Sequence, residues 1–385
     1  MKLAAVIQRY GAEVAGGAEA HCRGLVHALR STHDVEVLTT CALDYITWKN
    51  HYPPGTTTED GVRVTRFANR RERDVRRFGA ISDAVFYDDH TPADERKWIL
   101  ENGPVCPDLV AAVQSRRDFD YFLIYSYRYY TATMAAGAVP NRAVLVPTAE
   151  DDPAISLGVF AELFRSVRGL LYLTPEEQLL VEGVSRTNRP SAIIGTGLAR
   201  TPADPAQLVR FALPDQYVFY AGRIDRNKGV DQLFRYYMWL ASTWPETPDL
   251  VLAGHQVLDI PAHPKIRYLG YVSDEEKAAL LAGSAIAVMP SAFESLSIFV
   301  LEAWAHSTPV LVNAKCKVLE GQCRRSQGGL YYRDLAEFAA MMRLLMSQPA
   351  LRHDLGGAGR AYVDREYSWE IAAARTNALL RSLQP

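Results

Sequence analysis

Short apolar runs alternate with stretches of helical spacing along the whole chain. Residues 3–8 read as a buried strand. A loop holding Gly11, Gly16 and Gly17 follows. Apolar residues then recur at helical spacing at Ala18, Cys22, Leu25, Val26 and Leu29. Residues 34–39 and 62–67 predict two more strands. Strand, Gly-rich loop, helix and strand make a βαβ unit, which implies a parallel sheet with right-handed crossovers. Residues 70–120 read as mostly helical and polar, and 121–125, 143–146 and 169–173 continue the strand series. Pro175 followed by Glu176 and Glu177 opens a helix, because proline and acids suit a first turn.

Residues 195–215 begin GTGLARTPADPAQ and read as a linker. A second alternating series follows. Strands are predicted at 217–220, 250–253, 266–269, 285–289 and 309–312, and helices at 230–242, 274–282 and 298–305. Residues 334–383 read as two or three helices. The pattern predicts an α/β protein of two doubly wound Rossmann-like domains, with the cleft between them as the default ligand site.

Composition narrows the function classes. With 48% hydrophobic and 22% charged residues over 385 positions, disorder and collagen-like structure are excluded. A formal charge of −2 argues against a dedicated nucleic-acid binder. Of the 42 basic residues 34 are arginine, which fits phosphate binding, although a GC-rich genome is the favoured reading of that skew. Five cysteines without a CxxC pair fit neither a disulfide framework nor a cysteine zinc site. The first apolar run stops at Arg9, short of the roughly 7–15 residues of a secretory segment. The expected location is cytoplasmic, with peripheral contact to the inner membrane face left open.

Three segments carry candidate chemistry. In YAGRIDRNKGVDQLF, residues 220–234, Gly222 lets the chain leave a strand tightly. Arg223 and Lys228 then bracket a loop leading into a helix. Two cations and a helix start suit a diphosphate; the other reading is two surface cations beside a turn. In PSAFESLSIFVLEAWAHSTPVLV, residues 290–312, Glu294 lies in a loop and Glu302 in an otherwise apolar helix. A carboxylate among apolar neighbours needs a partner unless it lies on a solvated stripe. Ser295 and Ser297 are candidate caps. The loop GAEVAGGAEAH, residues 11–21, lacks both the GxGxxG spacing and the Lys-Ser/Thr of a P-loop.

Strand–AGRIDRNKG–helix, LAG at 252–254, LGYVSDEE at 269–276 and PSAFESLSIFVLEA in this order resemble GT-B glycosyltransferases of family 4, the glycosyl transferases of group 1. GGAE at 16–19, GGLYY at 328–332 and YSWE at 367–370 extend the resemblance over nearly the whole chain, towards members that build bacterial surface glycans. The Glu-x7-Glu pair is its most specific feature.

The resemblance implies the GT-B fold, with residues 1–200 as the acceptor-side domain, 201–366 as the donor domain, and 367–385 packing back on the first. It implies that Arg223 and Lys228 hold the donor diphosphate, Glu294 the sugar hydroxyls and Glu302 the ribose hydroxyls. Ser297 and Ile298 would offer N–H groups to the distal phosphate, and Val272 would lie against the base. Gly222 belongs to the same loop, and Gly16 and Gly17 would let the first loop close over the phosphates. The substrates implied are a nucleoside-diphosphate sugar and a glycan, lipid-linked or small-molecule acceptor. Retention of configuration and no divalent metal or other cofactor are expected.

Two departures stand out. Ser295-Leu296-Ser297 follows Glu294 where most members read Gly-Phe-Gly. Glu150 of Ala149-Glu150-Asp151-Asp152-Pro153 stands where related chains carry histidine, and Glu150 and Asp151 read either as acceptor-side residues or as an exposed acidic turn. A non-catalytic nucleotide-sugar-binding partner subunit and a sugar-nucleotide 2-epimerase are the competing classes. The run 70–77, with Arg70, Arg71, Arg73, Arg76 and Arg77, reads as a solvated segment or as a contact for an anionic surface. The aromatics of 121–130 read as core at alternate positions, with the rest open between core and stacking on a sugar acceptor.

Overall fold

The structure, a computed structural model, describes residues 1–14 and 16–384. They divide into two compact units, one of residues 1–197 with the tail from 369, the other of residues 198–368.

The first unit opens with β1 (Lys2–Val6), α1 (Gly17–Leu29), β2 (Asp34–Thr40), β3 (Gly55–Glu59) and β4 (Val62–Phe67). Three helices follow: α2 (Val75–Tyr87), α3 (Pro92–Asn102) and α4 (Pro107–Ser115). Then come β5 (Tyr121–Tyr125), α5 (Tyr130–Ala138), β6 (Ala143–Val146), α6 (Gly158–Ser166), β7 (Gly169–Tyr172), α7 (Pro175–Ser185) and β8 (Ser191–Ile193). Among the described residues the sheet order is β3-β4-β2-β1-β5-β6-β7-β8, parallel apart from β3 on β4. Every residue of β5 is buried, as a strand covered on both faces requires.

The polar reading of residues 70–120 needs correction. Trp98, Ile99, Leu109 and Val113 from that stretch lie in the core. The basic run is not solvated throughout either. Arg73 Nε donates to Asn102 O at 2.7 Å, and the guanidinium lies 4.9 Å from the Trp48 ring centroid. Arg71 and Arg77 both pair with the buried Glu101, at 3.0 and 2.9 Å. The run therefore closes the end of α3. Tyr121 to Tyr125 and Tyr127 are buried, and Tyr127 packs edge-on against Phe160 at 4.7 Å, so these aromatics are core.

The second unit runs β9 (Tyr217–Ala221), α8 (Val230–Thr243), β10 (Asp249–Ala253), β11 (Ile266–Tyr268), α9 (Asp274–Gly283), β12 (Ile286–Met289) and α10 (Ile298–Ala305). It continues with β13 (Val310–Asn313), α11 (Lys317–Ser326), β14 (Gly329–Tyr332), α12 (Leu335–Ser347) and α13 (Pro349–Glu366). Its strand order is β11-β10-β9-β12-β13-β14, all parallel. Strand order reverses between β9 and β12. In such sheets that switch point, at the carboxyl ends of the strands, is where ligands bind.

The tail helix α14 (Trp369–Ser382) belongs to the first unit. Trp369 sets its place: a Cβ added at Gly24 or Gly197 would fall 1.9 or 2.2 Å from its ring. The start of the predicted linker is buried, since His21 Nε2 donates to Gly195 O at 2.9 Å. Burial holds His21 down at about 4, so the ring is neutral and its Nδ1 accepts from Tyr125 Oη. No helix of the described residues is long and apolar enough to cross a membrane.

Candidate functional site

At the switch point of the second unit β9 leads into the loop 222–229. Gly222 has φ +154, and Gly229, at the start of α8, has φ +71. A Cβ at Gly229 would lie 2.4 Å from Pro290 O, so glycine brings this loop against the one after β12. Asp225 shapes the loop. Its carboxylate accepts Lys228 N–H at 2.8 Å and pairs with Arg223 Nε. Sequence reasoning passed over Asp225, although an aspartate three residues before a turn-closing amide is a turn signal.

The decisive contact crosses between the two loops. Lys228 Nζ donates to Glu294 Oε1 at 2.7 Å. Glu294 is only 8% exposed, and its own carbonyl faces Cys316 Sγ. Asn313 at the end of β13 steadies the same loop by donating to Pro290 O at 3.0 Å. A cation and a carboxylate named from motifs 66 positions apart thus meet at one point.

Ser297 takes the N-cap position of α10, but its side chain makes no capping bond, contrary to the expectation of a side-chain cap. Its Oγ is buried and has no hydrogen-bond partner among the described residues. A buried hydroxyl beside the N–H groups of a helix start can take hydrogen bonds from a polar ligand. Ile298 begins the helix at that same point.

Glu302 lies further along α10, half-buried, and does not stand alone. Lys277 of α9 donates to its Oε1 at 2.8 Å and pairs with Asp274 at 3.2 Å. Burial pushes the Glu302 carboxyl up, with Lys277 opposing. Val272 is half-buried in the loop before α9, preceded by Gly270 at φ +77 and the exposed Tyr271. Ser273 caps α9 in a reciprocal box with Glu276.

The first unit has its own switch point, between β1 and β5. Arg9, after β1, pairs with the buried Glu19 at 2.6 Å. A Cβ at Gly16 would fall 2.1 Å from Glu19 Oε2, so glycine admits that carboxylate beside the start of α1, where Gly17 lies. After β5, Arg128 pairs with Asp152 at 2.7 Å. Ser126 and Thr148 both hold left-handed backbone, φ +64 and +50, at adjacent strand ends, and their hydroxyls lie 3.1 Å apart. Glu150 is half-buried and Asp151 exposed. The acidic stretch is therefore a folded turn, tied by Asp152, with Asp151 alone of the three at the surface.

Glu177 holds this turn from beneath. Its carboxylate accepts Ala149 N–H at 2.7 Å, and Thr174 caps the same helix turn. The Thr-x-x-Glu spacing was its signal. Burial raises Glu177 from 4.5 to about 8, against the lowering effect of its backbone hydrogen bonds. Since the folded state holds this proton over a wider range than the unfolded chain, stability falls as pH rises from about 4.5 to about 8. Glu177→Gln is expected to flatten that slope in urea unfolding at pH values across the window; a variant as pH-dependent as the parent would contradict this.

Comparison with known proteins places this geometry. Residues 208–362 match the family described as glycosyl transferases group 1. The second unit is a glycosyl transferases group 1 domain. The group 1 domain contains both loops of the Lys228–Glu294 contact. An MMP alpha-(1->4)-mannosyltransferase of Mycolicibacterium hassiacum is 34% identical over 28% of this chain and 27% of its own length. A glycogen synthase of Mycobacterium tuberculosis is 29% identical over 41% of each chain. The matched region thus spans about a quarter to two-fifths of these relatives. The sucrose-phosphate synthase structure from Thermosynechococcus elongatus superposes with TM-score 0.71 at 16% identity, over 99% of this chain and 98% of that one. The two-unit chain has the GT-B fold.

Proposed function

We propose that this chain moves a sugar from a nucleoside diphosphate to an acceptor hydroxyl, with retention of configuration and without a divalent metal. The observation that carries this reading is the Lys228–Glu294 contact at the switch point of the group 1 domain. A diphosphate and the sugar attached to it need a cation and a hydroxyl acceptor side by side. An ammonium donates three hydrogen bonds, so one lysine can serve a carboxylate and a phosphate together. Arg223, fixed by Asp225, supplies a second cation, and Ser297 with the start of α10 supplies neutral donors.

As the glycosidic bond breaks, negative charge grows on the leaving diphosphate. Lys228, Arg223 and the N–H groups at Ile298 are the groups that stabilise it. Glu294 orients the sugar through its hydroxyls, Glu302 takes the ribose, and Val272 lies against the base. Glu150 and Asp151 belong to the acceptor side. A glycan or lipid-linked acceptor is the substrate class assigned, and the relatives' mannosyl and glucan chemistry supports a hexose donor.

A thermal-shift panel in chelator, with UDP-, GDP-, ADP- and dTDP-sugars, tests the donor reading. One nucleotide series is expected to stabilise the protein by about 2.7 kcal/mol at a hundredfold excess over Kd. No shift with any of the four, on folded protein, would count against a donor site. Release of free nucleotide with an added acceptor separates an enzyme from a binding partner.

A further inference from the structure

Lys277 was singled out by no motif, yet it contacts the carboxylate assigned to the ribose. Resting on the donor reading above, we infer that Lys277 is a positioning residue: it fixes the Glu302 carboxylate for the ribose cis-diol and thereby selects ribonucleotide over 2′-deoxyribonucleotide donors.

Four observations support this. Lys277 Nζ takes Glu302 Oε1 at 2.8 Å, while Oε2 accepts no hydrogen bond from the described residues. The carboxylate is thus held at one oxygen and open at the other. Second, Lys277 is itself fixed, by Asp274 one helical turn away at 3.2 Å and by the capped first turn of α9. Third, the pair spans two elements, α9 and α10, so it sets the angle at which Glu302 leaves its helix. Fourth, burial pushes the Glu302 carboxyl up and Lys277 opposes that rise, so loss of the cation would push it up further.

Of the other charged groups around Glu302, Asp274 adds to the rise of its carboxyl, and Lys277 opposes both that and burial. Asp274, on α9, pairs with Lys277. His306, one turn along α10, is held below its ordinary value by burial, with Arg360 and Lys277 adding to it, and is therefore neutral near pH 7. Arg360 of α13 is occupied by Ala305 O and Asp364.

A ribose diol donates two hydrogen bonds, and a fixed carboxylate can accept both. A 2′-deoxy sugar supplies one. A site built to bond a hydroxyl discriminates against the analogue that lacks it, because the acceptor covered by the bound ligand is left unpaired.

The test is calorimetric titration of the full chain with UDP and GDP and with their 2′-deoxy counterparts, from about pH 8 to about pH 5.5. The parent is expected to bind the better ribonucleotide at least about tenfold tighter than its deoxy form. Lys277→Met is expected to lose about tenfold for the ribonucleotide and almost nothing for the deoxy form, and to weaken further as pH falls and Glu302 takes a proton. Lys277→Arg is expected to restore the ratio. If the parent binds nucleotide and Lys277→Met leaves both the ratio and the pH profile unchanged, the inference is overturned while the donor reading stands. If the parent binds neither UDP nor GDP, the donor reading itself fails, and this inference with it.

Discussion

Lys228→Ala is expected to lower kcat/KM by about 10²–10³-fold, roughly 3–4 kcal/mol of transition-state stabilisation. Two effects combine. The leaving diphosphate loses a preorganised cation, and Glu294, only 8% exposed, loses the ammonium that holds Oε1 at 2.7 Å. A buried carboxylate deprived of its partner turns away towards other donors or water. That change spoils the sugar contact as well as the phosphate contact. Arg223→Ala is expected to fall in the same range, because Asp225 then loses its cation while still holding Lys228 N–H at 2.8 Å. Steady-state kinetics with the donor identified by thermal shift measure both. Activity within about threefold of the parent for both variants would sink the assignment of the two cations.

The largest expected effect on stability lies behind the site. Trp304 is fully buried on the face of α10 that meets α13. Its Nε1 donates to Gly328 O at 2.8 Å, and a Cβ at Gly359 would fall 2.2 Å from its ring. Glycines at 328 and 359 therefore make the slot, and the indole fills it. Trp304→Ala is expected to cost about 3–5 kcal/mol, through lost burial, a cavity and an unpaired carbonyl. Whole domains are stable by only about 5–15 kcal/mol, so the second unit should unfold at much lower urea. Circular dichroism through a urea titration measures this, and a loss below about 1 kcal/mol would contradict the packing described. Since α10 carries Ile298 and Glu302 and Ser297 stands at its N-terminus, nucleotide binding should weaken in parallel.

The frame of both units was legible because their strands are buried on both faces. Runs such as residues 121–125 and 286–289 are apolar at successive positions, and periodicity finds them. β3 was missed for the opposite reason. Gly-Thr-Thr-Thr-Glu is a polar edge strand, exposed along most of its length, and carries no apolar signal. α11 was missed because glycine and charged residues interrupt its pattern, although its buried face includes Val318, Leu319 and Cys323.

The candidate site divided along similar lines. Arg223, Lys228, Glu294 and Glu302 sit in motifs whose residue types announce an anion or a hydroxyl. Their supports do not. Asp225, Asn313 and Lys277 act by what they touch, and contacts such as the one from Lys277 to Glu302, 25 positions away, exist only once the sheet has folded. The run of arginines from 70 to 77 misled in the other direction. Local charge reads as a solvated segment, whereas Glu101 and Asn102, outside the run, bind three of its side chains.

The central claim is that the switch point of the group 1 domain is a nucleoside-diphosphate site. A crystal structure of the chain with UDP or GDP bound tests it most directly. The diphosphate is expected within hydrogen-bond distance of Lys228 Nζ, Arg223 and Ser297 Oγ, with the ribose on Glu302 and the base beside Val272. A nucleotide bound elsewhere, with Lys228 still on Glu294 and the Ser297 hydroxyl still unpartnered, would contradict it.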